Sequence, residues 1–119
     1  MENILNLQEE RIKDITVRGY KFKIRYMSPM DRVQIAQQRM MLQNGNPVTA
    51  LTDSDFIFFE NIAIVNICVD EMPKEFKEGE SCIKWEDIEL INEVANEIRT
   101  YTNSIEEKLK KNRPIIGGK

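Results

Sequence analysis

Residues 56–69, FIFFENIAIVNICV, constrain this chain more than any other stretch. Read as a helix over about 53–71, the segment is apolar nearly all round, with Phe56, Ile57, Phe58, Phe59, Ile62, Ala63, Ile64, Val65, Ile67, Cys68 and Val69. A helix without a polar face must be enclosed on every side. Glu60, Asn61 and Asn66 interrupt it, and it falls short of the ~20 apolar residues of a bilayer span. In a chain of 119 residues such enclosure is difficult. Either the domain closes round this helix, or one side, with Phe58 and Phe59 as candidate contacts, is covered by another chain.

The segments before it read as a ribbon and a capped helix. Ile15 and Val17, then Tyr20, Phe22, Ile24 and Tyr26, alternate with polar residues, the period of two of a strand. Gly19 suits a tight hairpin turn over 12–26, and Arg-Gly, a weaker signal than Asn-Gly, leaves room for a one-residue bulge. The opposite face carries Lys21, Lys23 and Arg25. That stripe reads as edge protection, or as a contact for an acidic protein; three charges on one strand are too few to specify nucleic acid. Ser28-Pro29-Met30-Asp31 starts a helix over about 29–43: a hydroxyl cap, a proline at the first position and an acid at the positive end. Asn44-Gly45 supplies its left-handed stop. Met30, Val33, Ala36, Met40 and Met41 form a ragged apolar stripe on it. Core filling is the ordinary use of such a stripe, while methionine also suits an adaptable surface, which makes Met40 and Met41 candidate contacts.

The segments after it read as a charged loop, 73–84, and a long helix over about 84–111. Acids crowd the start of that helix and Lys108, Lys110 and Lys111 its end, as the macrodipole favours. Ile91, Ile98 and Ile105 lie seven apart within a heptad-like seam that ends at Leu109. The far half of a helix this long outruns the hairpin and two shorter helices. It either frays or meets a partner, with Ile98, Ile105 and Leu109 as candidate contacts. Residues 1–11 are expected to be a mobile arm and 112–119 a disordered tail. The fold class is α+β, mainly α: an N-terminal β-hairpin followed by three helices, the last one long, in a single domain over 12–111.

Chemistry is sparse. The chain has no His, the commonest general base and metal ligand. Neither phosphate-loop nor dinucleotide glycine patterns occur, and Cys68 and Cys82 have no metal spacing. No enzyme activity, cofactor or metal is expected. Net charge is −3, with six basic residues against Asp14 over 11–25 and ten acids against three lysines over 70–97. Such polarity suits head-to-tail stacking or a charged partner, or simply solvates helix ends. No basic-then-apolar leader opens the sequence, and a reducing, cytoplasmic setting is the expectation.

Three segments carry a family resemblance: ITVRGYKFKIRYMSPMDR (15–32), FIFFENIAIVNICVDEMP (56–73) and KWEDIELINEVANEI (84–98). In order and size they resemble the small tail assembly chaperones of long-tailed bacteriophages and of phage-like elements in Gram-positive bacteria. The resemblance spans about residues 12–110 and contains no catalytic motif. It implies a non-enzymatic protein of the bacterial host cytoplasm that binds the helical tape measure protein, recruits tail tube subunits and is absent from the finished particle. It also implies self-association, no membrane or nucleic-acid partner, and in many members a longer frameshifted form. Two other classes fit the same residues. One is a permanent ring or connector protein of a phage particle. The other is a small host-directed regulator acting through Lys21, Lys23 and Arg25.

Overall fold

The computed structural model describes residues 12–43, 52–76 and 81–111. The arm 1–11, the Asn44-Gly45 stop, residues 77–80 of the charged loop and the tail 112–119 lie outside the described residues. The architecture is α+β and mainly α: a β-hairpin, then three helices with the last one long. A third short strand was not expected.

Strands β1 (Ile12–Val17) and β2 (Tyr20–Arg25) pair antiparallel, with Ile15 opposite Phe22 and Val17 opposite Tyr20. Alternation puts Ile15, Val17, Phe22 and Ile24 in the core. Arg18 (φ +52°) and Gly19 (φ +84°) form a two-residue turn with both φ values positive, the mark of type I′. This turn follows the twist of the strands and leaves no bulge in the hairpin. The irregularity lies on the other side of β2, between Lys23 and Ile24, where β3 (Val69–Glu71) pairs with it. Arg18 holds its left-handed backbone while its guanidinium donates to Glu89 at 2.7 Å and to Glu93 at 2.8 Å.

Helix α1 (Pro29–Leu42) begins with a full capping box: Asp31 N–H donates to Ser28 Oγ at 3.2 Å, and Ser28 N–H to Asp31 Oδ2 at 3.1 Å. Helix α2 (Asp53–Cys68) is capped by Thr52, whose Oγ1 accepts from Asp55 N–H. It ends three residues before the expected boundary. Val69 is already extended, because β2 has a second edge to satisfy and Pro73 disfavours helix at the residue before it. Helix α3 (Ile88–Lys111) also starts later than expected. A 3₁₀ turn (Cys82–Trp85) precedes it and left-handed Glu86 breaks the path; Asp87 Oδ1 then accepts from Leu90 N–H. The break sets Trp85 against Phe76 at 4.7 Å and Phe22 at 5.6 Å between ring centres.

The core lies where α2 meets α1, α3 and the sheet. Asn61, Ile62, Ala63, Ile64 and Val65, five consecutive positions spanning the whole circumference, are all buried. The domain therefore closes round this half of α2 unaided. The seam of α3 is internal as well: Ile91, Ile98 and Ile105 are at most 2 % exposed. Its far half is helical throughout and is covered as far as Ile105, while residues 106–111, Leu109 among them, are exposed. Met27 N–H donates to Thr102 Oγ1 at 2.9 Å, and Arg32 pairs with Glu106 at 2.9 Å, tying the start of α1 across α3. Coverage of the seam by α2, the sheet and the start of α1 is an arrangement helical periodicity does not specify.

Candidate interaction surface on the first helix

Among the described residues, closing the core leaves α1 with an uncovered apolar face. At about 100° per residue, Met30, Val33, Gln37, Met40 and Met41 share a sector roughly 100° wide on α1. The four apolar members are between 53 % and 78 % exposed. The core side of α1 is instead held by Ile35 and Asp31. The stripe read from the sequence is thus divided: Ala36 is half-buried, and Met40 and Met41 face outward.

The other candidate contacts fall elsewhere. Phe58 and Phe59 are half-buried near the start of α2, with Phe58 packed against the core. Exposed Ile57 and Ile88 lie beside Phe58, and together they line a shallow surface depression. Leu109 is exposed at the end of α3. Ile98 and Ile105, fully buried, are corrected from contact residues to core. The basic stripe is not a uniform open patch either. Lys23 lies 4.0 Å from both Asp14 and Glu71. Arg25 is an internal clamp, donating to Asp31 at 2.9 Å and to Asp70 at 3.1 Å. Lys21 is exposed on the outer face of the sheet.

The Arg25–Asp31 pair joins sheet to helix cap. Burial pushes the Asp31 carboxyl up, but hydrogen bonds from Arg25 and Ser28 outweigh it and hold the group below the usual carboxylate range. Its partner Arg25 is raised, mainly by the same bond. Burial pushes the Cys82 thiol up to about 12, the behaviour of an inert core thiol whose Sγ donates to the Ile62 carbonyl. Among the described residues no cluster of three metal-ligating side chains occurs, and no helix is long and apolar enough to cross a membrane.

Beside the apolar face of α1 opens a cleft of about 330 Å³ between the three helices. Arg32, Ala36 and Arg39 of α1, Phe56 and Glu60 of α2, and Arg99 of α3 line it. Arg99 pairs with Glu60 at 3.5 Å. The Arg39 guanidinium carbon lies 4.6 Å from the centre of the Phe56 ring, and the group also donates to Gln43 Oε1. Sequence reasoning missed these arginines. The available signal was their placement: Arg32 and Arg39 each immediately precede an exposed apolar residue, Val33 and Met40, one heptad apart.

Comparison with protein-family models, with curated proteins and with solved structures gives no match.

Proposed function

We propose that this protein is a non-enzymatic binding module that holds a helical protein client, acting as a small phage tail assembly chaperone in the bacterial cytoplasm. The observation that carries the reading is the outer face of α1. Four large apolar side chains, three of them methionine, stand exposed at helical spacing on a domain whose core is otherwise closed. Flexible thioethers conform to varied apolar partners, which suits transient holding of a client. An apolar helix stripe is complementary to another helix, the helix-in-groove mode. The hairpin, the capped helix, the apolar helix and the long last helix are the elements on which the sequence resemblance rests, and the role that resemblance implies supplies the client: a long helical tape measure protein, with tail tube subunits as the second partner.

Co-expression with a long heptad-rich protein encoded beside this gene tests the reading. A complex recovered by size exclusion with light scattering, and lost in Met40→Glu/Met41→Glu, supports it. No complex with the intact protein ends it. Stoichiometric copies in purified particles would instead mark a permanent ring or connector component.

A further inference from the structure

We infer that the client helix carries carboxylates at seven-residue spacing along one flank of its apolar stripe, and that Arg39 takes one of them, with the exchangeable Arg32 one heptad away; this rests on the helix-binding reading above. On α1, Val33 and Met40 are one heptad apart, and so are Arg32 and Arg39, each one residue earlier. Two helical turns separate the members of each pair, about 10.5 Å along the axis. The apolar pair and the basic pair therefore form two parallel rows, as do the seam and flank of a coiled coil, where flanking charges set partner choice. A second helix laid on Val33 and Met40 has one flank over the cleft.

The cleft is built for anions on that flank. Three arginines line it against Glu60. Arg32 and Arg99 already have carboxylate neighbours, Glu106 and Glu60. Arg32 and Glu106 are each about half exposed, so their pair is weak and exchangeable. Among the described residues no carboxylate pairs with Arg39. Its guanidinium rests on Phe56 and is steadied by Gln43, so little side-chain freedom remains to be lost on binding. Only one of its five N–H groups has a hydrogen-bond partner among the described residues.

A second copy of this chain fits less well than a separate helix. The apolar stripe of α3 is consumed in its own core. The exposed pair Ile57 and Ile88 sits on two different helices, and the nearby acids Asp53 and Asp55 are two residues apart rather than seven.

The test uses the full-length protein and three labelled synthetic helices, each about four heptads long with a leucine seam. Their flanking positions carry Glu, Gln or Lys, and binding is read by fluorescence anisotropy. The Glu helix should bind about tenfold more tightly than the Gln helix, the worth of one charged hydrogen-bonded contact. That advantage should shrink at about 0.5 M salt and vanish in Arg39→Gln. In Arg39→Glu the preference should pass to the Lys helix, a gain that misfolding cannot mimic. Equal binding of the Glu and Gln helices overturns the inference and leaves the helix-binding reading intact. Failure of all three helices to bind, or blockage of the face by self-association, overturns both.

Discussion

Replacing Ile98 with alanine separates a core seam from a contact seam. The side chain is fully buried in α3, so truncation removes three carbons from a closed interior. At about 0.8 kcal/mol per buried methylene the transfer loss is about 2.4 kcal/mol, and incomplete collapse of the cavity brings the total to about 3–4 kcal/mol. With a urea m-value of about 1.5 kcal/mol/M, the unfolding midpoint should fall by about 2–2.5 M. Met41→Ala, at a side chain 78 % exposed, should change stability by no more than about 0.5 kcal/mol. Urea titration followed by circular dichroism gives both numbers, and Ile98→Val, expected to cost about 1 kcal/mol, keeps the comparison measurable if the alanine variant is largely unfolded. If Ile98→Ala loses less than about 1 kcal/mol but binds a client helix poorly, the seam faces outward and the packing described here is wrong.

Three further substitutions probe single bonds and one turn. Thr102→Val strands the Met27 N–H that now donates to the hydroxyl, and should cost about 1–3 kcal/mol in denaturant titration, whereas Thr102→Ser should retain most of the stability. Asp31 is held below its ordinary value in the folded state, so its contribution is present above about pH 5 and lost as pH falls through that lowered value. Asp31→Asn should therefore cost about 2 kcal/mol at neutral pH, and its deficit against the parent should narrow below about pH 4 in a pH series of melts. Gly19→Ala meets no atom within 4 Å, so its cost is backbone strain at positive φ, about 1 kcal/mol, and Gly19→Asn should recover much of it.

The elements were legible where local chemistry decides them. Strand alternation gave the hairpin, and Ser28-Pro29 fixed the start of α1 to the residue, because a hydroxyl cap and a proline act within one turn. Boundaries set by distant groups were not legible. Val69 joins the sheet because β2 has an edge to pair, and Trp85 leaves the helical path to reach Phe22 and Phe76. The candidate surface was half legible. Periodicity marks an apolar stripe but not the neighbour that covers it, so Met41 and Ile98 looked alike as contacts while the fold exposes one and encloses the other. Arg25 looked like part of a charged surface because its acid partners, Asp31 and Asp70, meet it only once α1 and β3 have docked.

Methyl NMR of the methionines tests the central claim, that the outer face of α1 is the docking surface, most directly. The protein carries six methionines, and Met30, Met40 and Met41 belong to that face, while half-buried Met72 follows β3. Titration with the Glu-flanked helix should shift the methyl signals of Met30, Met40 and Met41 together and leave that of Met72 in place. Saturable binding that moves Met72 and leaves those three unchanged would put the contact on another surface and contradict the account.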